Sequence, residues 1–396
     1  MSDTLKQIAD NLGVSTINGS YLSGIADYYG VDLATSTDLM ADILTEVGGD
    51  PATSTDYLQD IVLALGGTVT INANWMEAWE AITAVPPVPF TTEWTTTSSS
   101  ETIELPYDAA GTYSGTIDWG DGNTSANSFA NRTHTYATAG TYTVIIDGTC
   151  IGWNFQVVGT PLNLTSVVHF AQLQLGADTG GYFYGCNNLD LSSVSDTLDL
   201  TGITNLDRLF DGCTSLTTVN NINSWDTSAV TSMNRMFRNA TAFNQPLSFD
   251  TSAVTNMGSM FQGCSVFNQP LSFDTSAVTS MNRMLRDATA FNQDIGTWNT
   301  KTVTDMGQMF SGASAFNQNL GSWNVANVTN FASFMVGKTP ATFSTTNLDA
   351  IYNGWVTVQS SRTISFGTAE YTSAGAAGRA ILVNTYSWYI TDGGQV

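Results

Sequence analysis

The sequence predicts a multidomain chain: a small all-α N-terminal domain, a β-sandwich, and a solenoid closed by a C-terminal cap. Three observations predict it. Residues 162–343 repeat themselves every 24 to 27 positions. Residues 1–84 carry short helical periods between caps and Gly-Gly stops, and residues 90–160 alternate in period two between turn residues. The boundaries follow as 1–84, a helical anchoring domain; 85–160, a sandwich; 161–345, the solenoid; and 346–396, its cap.

In the first block, TSTDLMADILTEVGGD (residues 35–50) and TSTDYLQDIVLALGGT (residues 53–68) repeat at an offset of 18. Thr or Ser before Asp supplies an N-cap. Apolar residues recur at helical spacing, at Leu39, Ile43 and Val47, then Leu58, Ile61 and Leu65, and Gly-Gly ends each helix. LKQIADNLGVS and YLSGIADYYGV are weaker copies, and Trp75, Trp79 and Ile82 make a last amphipathic turn. The block resembles the helical N-terminal modules of tailed-phage fibre and virion proteins. That resemblance implies docking to other virion structural proteins; a plain helical domain packed on its neighbour is the alternative.

VPPVPF (residues 85–90) is a semi-rigid linker, since proline favours extended geometry. TIELPY, GTYSGTIDWG, RTHTYATAG and GTYTVIIDG then read as strands. The segments IDWGDGN and HTYATAGTYTVII resemble the PKD-type immunoglobulin-like domain, through Trp119, Gly120, Asp121, Gly122, His134, Tyr136, Gly140, Tyr142 and Val144. The role implied is a spacer. Asp118, Asp121 and Asn123 could hold a cation, but a plain turn is the preferred reading.

The repeats align on Val230, Val254, Val278, Val303 and Val328. Met233, Met257, Met281 and Met306 follow three residues later, with Phe331 in the last copy, and FNQ comes next, starting at Phe243, Phe267, Phe291 and Phe316. Two earlier copies, FYGCNNL and FDGCTSL, stand 27 residues apart, making about seven. A unit this short cannot bury its own apolar face, so the constant columns are expected to stack as ladders, the Met column in the core. The Asn of FNQ, at Asn244, Asn268, Asn292 and Asn317, is expected to satisfy backbone groups of the next coil, because an amide both donates and accepts. The run W-D-T-S-A-V-T-S-M-N-R-M-F with its FNQ resembles the BspA-like leucine-rich repeats of bacterial surface proteins, and residues 348–355 and 369–394 look like the segment that closes such arrays. The resemblance implies a leucine-rich-repeat-like solenoid whose activity is adhesion, not catalysis.

Composition narrows the partners. The chain has 11 Lys and Arg against 34 Asp and Glu, a net charge of −23. Before Arg132 a single cation, Lys6, faces 18 acidic residues. Nucleic acid and bare anionic membranes are therefore poor partners for the front half, and solubility in a salty medium is the preferred reading of the imbalance. No stretch approaches the roughly 20 apolar residues of a spanning helix, so no membrane insertion is expected. MSDTLKQIADNLGVS lacks the basic and apolar regions of a secretory signal. Surface-type repeats without an export signal suggest release by lysis, on a phage particle.

Cys186, Cys213 and Cys264 share a column with Ala240, Ala288 and Ala313 and read as core thiols; Cys150 stands alone. Asp226, Asp250, Asp274, Asn299 and Asn324 give at most one carboxylate per coil, which suits an Asx turn better than calcium. No cofactor or metal is expected. With two histidines, His134 and His169, and no recognisable nucleophile, phosphate or zinc motif, no catalytic set is expected either.

Two columns remain as candidate binding surfaces. Arg208, Arg235 and Arg283 share one repeat position, and Arg238 and Arg286 another. They read either as a basic stripe for acidic glycans or carboxylates, or as a solvated face paired with Asp207, Asp211 and Asp287, the favoured reading. Trp225, Phe249, Phe273, Trp298 and Trp323 could stack on sugars, but an aromatic in every copy favours the core. The function expected is that of a phage tail fibre, head fibre or decoration protein whose solenoid contacts a host-surface protein or glycan. A bacterial cell-surface adhesin, or a purely structural virion spacer or cement protein, are the alternatives. Phage fibres are often trimers, although no coiled-coil heptads here support a homo-oligomer.

Overall fold

The computed structural model describes residues 88–156, 159–356 and 360–396. The chain divides into two compact units, residues 1–88 and 89–396, and the description that follows is of the second. The helical domain expected at residues 1–84 lies outside the described residues.

Within them, the expected fold class is corrected. α-Helix is confined to α1 (Thr345–Gly354) and α2 (Ser373–Ala380); the rest is small β-sheets and turns. Neither an all-α domain nor a leucine-rich-repeat-like solenoid is found among the described residues. The physical reason lies in the backbone of the repeats.

The front of the unit is built from sheets. β1 (Phe90–Thr96), β4 (Thr116–Asp118), β5 (Thr124–Ala126), β7 (Gly140–Asp147) and β9 (Leu164–His169) form one sheet in the order β5-β4-β7-β1-β9. β3 (Tyr107–Tyr113), β8 (Cys150–Trp153) and β10 (Leu173–Gln174) form a second, in the order β10-β8-β3. β2 (Glu101–Glu104) pairs with β6 (Thr133–Tyr136). Alternate residues point inward from these strands and meet in one core, where Phe90 lies edge-on to Trp153 at 4.8 Å. Buried Asn127 is satisfied on both ends of its amide: its oxygen accepts from the Tyr107 hydroxyl, and its nitrogen donates to the carbonyls of Ser114 and Thr149.

The turn IDWGDGN depends on backbone that only glycine adopts freely. Gly120 has φ +77°, and a Cβ there would meet the Thr143 carbonyl oxygen at 2.5 Å. Asp118 and Asp121 each accept from the backbone N–H two residues on, as Asx turns. The other Asp121 oxygen lies 2.8 Å from His134 Nε2, and the His134 ring stacks on Trp119.

The sheets pass directly into the repeats. β9 pairs with β1, and its Ser166 also bridges Asp190 in parallel; β10 likewise bridges to Asp199 through Gln174. Two strand edges that would otherwise be open are thus covered by the first repeat segments.

Each repeat is made of turns. Take residues 233–240. The N–H groups of Met233, Arg235, Phe237 and Asn239 donate to Asn256, Gly258, Met260 and Gln262 of the next segment. Those of Met236, Arg238 and Ala240 donate three residues back, to Met233, Arg235 and Phe237. A helix sends every N–H back along its own chain, and a strand sends them outward to its neighbours. This backbone alternates, one across and one back. It can do so because Arg235 and Asn239 adopt φ 61° and 59°. The same pair of left-handed positions recurs in each segment, first at Arg208, Ser259, Arg283, Gln308 and Ser333, then at Gly212, Gly263, Asp287, Gly312 and Gly337. β pairing among the described repeats is reduced to single parallel bridges, chiefly the line Asn205–Ser232–Asn256–Ser280–Asp305–Asn330, with Leu191–Val219 and Leu247–Leu271 beside it.

Inside, the columns stack. Val230, Met233, Met257, Met281 and Met306 are fully buried. Phe243, Phe267, Phe291 and Phe316 lie ring over ring with centroids 6.1 Å apart. The far end is closed by α1 and α2 with β11 (Thr363–Ser365) and β12 (Tyr389–Thr391), a parallel pair. Ser344 caps α1 by accepting from the Asn347 N–H. Trp355 and Trp388 cover Phe331, the last residue of the Met column.

The aromatic column Trp225, Phe249, Phe273, Trp298 and Trp323 is buried, so it is not available for stacking on a sugar. Its members differ in one respect. Trp298 and Trp323 donate their indole N–H to the carbonyls of Leu271 and Ile295, whereas the buried Trp225 indole N–H has no partner among the described residues. Trp225→Phe is therefore expected to cost less stability than Trp323→Phe, by ~1–2 kcal/mol. Paired urea denaturation curves would check this, and equal losses would contradict it.

Candidate functional site

The arginine columns lie on the surface of the turn backbone just described. Arg208, Arg235 and Arg283 occupy the first left-handed position of their segments, and Arg238 and Arg286 lie three residues further on. All five are half-buried. Between Arg235 and Arg283 the same column holds Ser259, which is buried, and beyond Arg283 it holds Gln308.

Their partners are unequal. Arg238 Nε donates to Asp211 Oδ1 at 2.9 Å. Asp211 is 1% exposed, and its Oδ2 has no hydrogen-bond partner. Burial pushes the Asp211 carboxyl above its ordinary pKa, while the hydrogen bond and charge of Arg238 pull the other way. Arg286 Nη1 and Arg283 Nε converge on one oxygen, Gln308 Oε1, at 2.8 and 3.2 Å. Arg286 Nε stands 3.2 Å from Asp287 Oδ2 without the geometry of a hydrogen bond. Asp207, an expected partner, instead accepts from the Ser232 hydroxyl and the Asn234 N–H. Among the described residues Arg208 and Arg235 have no side-chain hydrogen bond or ion pair. Burial first, and then the charges of Arg238 and Arg208, push the Arg235 guanidinium below its ordinary pKa, with Arg283 adding to the effect. The face is a cluster of like charges near enough to feel one another, only partly neutralised.

The Asn column runs along a different, exposed line. Asn244 Oδ1 accepts from the Asn268 N–H and the Gln269 amide; Asn268 from Asn292 and Gln293; Asn292 from Asn317 and Gln318. In the closing segment Ser344 and Asn347 take the same two roles on Asn317. With both donors supplied by the next segment, the column is a seam joining neighbours. Asn292→Ala leaves those donors to water, and a loss of ~1 kcal/mol is expected, with Asn292→Asp losing less because it keeps the acceptors. Thermal unfolding of the two variants would show whether the order holds.

Sequence reasoning passed over two features. Thr227, Thr251, Thr275 and Thr300 are buried, and each donates its hydroxyl to the backbone carbonyl of the Asp or Asn after the aromatic in the next segment. Those Asp and Asn side chains close Asx turns on their own segment. The second feature is Lys338, which stands 25 residues after Ala313 in the small-residue column. Extending the column alignment by one copy would have exposed it. Earlier in that column, Cys213 and Cys264 donate their thiols to the carbonyls of Phe183 and Phe237, and all four cysteines are free and buried. Among the described residues no group of three or more His, Cys, Asp or Glu is placed to hold a metal ion, and no helix is long and apolar enough to cross a membrane.

Comparison with known families finds a similarity in the repeats. Residues 178–273 and 247–350 match the family described as "Mycoplasma protein of unknown function, DUF285". The two spans overlap, lie in the repeats and the start of the closing segment, and together cover less than half of the 396 residues. No curated protein and no solved structure matches the chain.

Proposed function

We propose that this chain is an attachment protein carried on a phage particle. Residues 1–84 dock it to other virion proteins, and the repeats present their arginine face to a protein or glycan of the host surface. The observation that carries this reading is charge placement. Five of the chain's eleven cations gather on one face of a molecule with net charge −23, and two of the five have no partner among the described residues. A cluster of like charge held against the overall field raises the local concentration of oppositely charged partners. The sequence resemblance of residues 1–84 to phage modules supports the virion part. The resemblance of the repeats to BspA-like surface proteins supports adhesion.

The test is mass spectrometry of purified phage particles, immunogold labelling with an antibody to residues 161–396, and adsorption in the presence of its Fab fragment. Label on tail tips or capsids, with adsorption blocked, is expected. Label on cell envelopes alone would make the chain a bacterial adhesin. Labelled particles that adsorb normally with Fab bound would make it a structural spacer.

A further inference from the structure

The pairing pattern divides the arginine face in two. Arg238 is held by Asp211, and Arg283 and Arg286 share the Gln308 amide oxygen. Arg208 and Arg235 have no side-chain partner among the described residues, although each is half-buried. A guanidinium that has shed part of its water without gaining an acceptor has lost hydration free energy. Neighbouring like charges add to that loss. Asp211 attracts Arg235 through its charge but makes no hydrogen bond to it, being sealed from solvent and engaged with Arg238 through Oδ1. An external anion would supply what the fold does not.

The geometry says which kind. A guanidinium with free donors is a planar fork that matches a carboxylate or phosphate through two parallel hydrogen bonds. The forks recur along the stack. Arg208 and Arg235 are one segment apart and Arg235 and Arg283 two, so at ~4.8 Å per segment they span ~14 Å. A line of forks fits a line of anions better than one compact ion. The interval from Arg235 to Arg283, bridged by Ser259, is ~10 Å, close to the length of a disaccharide in an extended chain. The net charge of −23 repels a densely charged polyanion such as duplex nucleic acid, whereas a polymer with widely spaced charges meets less repulsion.

We infer that Arg208 and Arg235, together with the Nη groups of Arg283 that its bond to Gln308 through Nε leaves open among the described residues, form a subsite for an acidic polysaccharide whose carboxylates recur along the chain. Assigning that polymer to the host surface rests on the attachment reading above; the binding chemistry does not.

The experiment uses the full chain and hyaluronan, which carries a carboxylate on every second sugar, with carboxyl-reduced hyaluronan as the uncharged control. Calorimetry at low and physiological salt should show binding to the first only, weakening as salt rises. The Arg208→Gln/Arg235→Gln variant should bind ~10-fold more weakly or worse, the loss of about one charge-assisted hydrogen bond. If circular dichroism shows that variant misfolded, Arg208→Lys/Arg235→Lys retains the charges but not the forks, and it too should bind more weakly than the parent. Equal binding to both polymers, no binding to either, or unchanged affinity in a folded variant would overturn the subsite. The purified chain is also applied to host cells. Cell binding without hyaluronan binding would sink the subsite and leave attachment standing. Hyaluronan binding without cell binding would do the reverse.

Discussion

Phe261→Ala is expected to lower the free energy of unfolding by ~4 kcal/mol, the upper part of the range for deleting a buried aromatic. Phe261 is fully buried in the middle of the repeats. Its ring lies parallel to Phe237 at 5.7 Å and to Phe267 at 4.3 Å. Removing it opens a cavity between two stacked neighbours whose backbones are pinned by bonds to the segments on either side, so the site cannot collapse. Because each segment is stabilised by its neighbours, a defect in the middle weakens two junctions at once. Phe261→Leu should lose only ~1–1.5 kcal/mol, since the next segment carries Leu285 at the same position, also fully buried. Guanidinium denaturation of both variants is the measurement. An alanine variant within ~1 kcal/mol of the leucine variant would mean that ring stacking contributes little and that the column behaves as a compliant filler.

Lys338→Ala is expected to be nearly as damaging, with a loss of ~2–4 kcal/mol near neutral pH. Lys338 is 2% exposed. Its ammonium donates to the carbonyls of Ala313, Ser314 and Phe316 in the preceding segment, and no carboxylate pairs with it among the described residues. Alanine would leave a void of three carbons and the ammonium nitrogen, and would remove the shared partner of three acceptors. Burial pushes the Lys338 pKa down from 10.5 to about 8. The unfolded chain therefore holds more protons than the folded chain between those values, and stability rises with pH across that window. The penalty for charging the buried amine is fully present below pH 8 and gone above 10.5, a difference of about 3 kcal/mol. The alanine variant should lack this rise. Unfolding curves at pH 7.5 and 10 for both proteins test it, because the comparison cancels titrations elsewhere. Parallel pH dependences in the two would show that Lys338 keeps an ordinary pKa.

Much of the molecule is legible in its string of residues. The period of 24 and 25 residues, the offsets of Val, Met, Phe and Asn within it, and the placement of five arginines in two columns are properties of that string. So is the alternation that marks strands such as β7, where turn residues stand at both ends. These are legible because each depends on contacts at short or constant separation. Periodicity could not show that the repeat backbone is neither helix nor strand. At the positions named above, the left-handed residues that produce it are Arg, Ser, Asn, Asp and Gln more often than Gly, so composition carries no glycine signal at the first of them. The conformation is imposed by bonds to the next segment, against local preference.

The same limit separates the candidate site into its two halves. That Arg208 and Arg235 share a column is written in the sequence. That they are unpaired while Arg238 is held is decided by where Asp207 and Asp211 come to rest, one turned to a backbone N–H and a serine, the other sealed beneath Arg238. Lys338 is the plainest case. Its place in a small-residue column is set by counting, but its depressed pKa and its three carbonyl acceptors exist only because the preceding segment lies beneath it. Repeat register and charge placement were determined by the sequence alone, because they need only spacing along the chain. Backbone class, pairing and burial were decided by the tertiary structure, because they depend on segments 24 or more residues apart that touch only once the stack has formed.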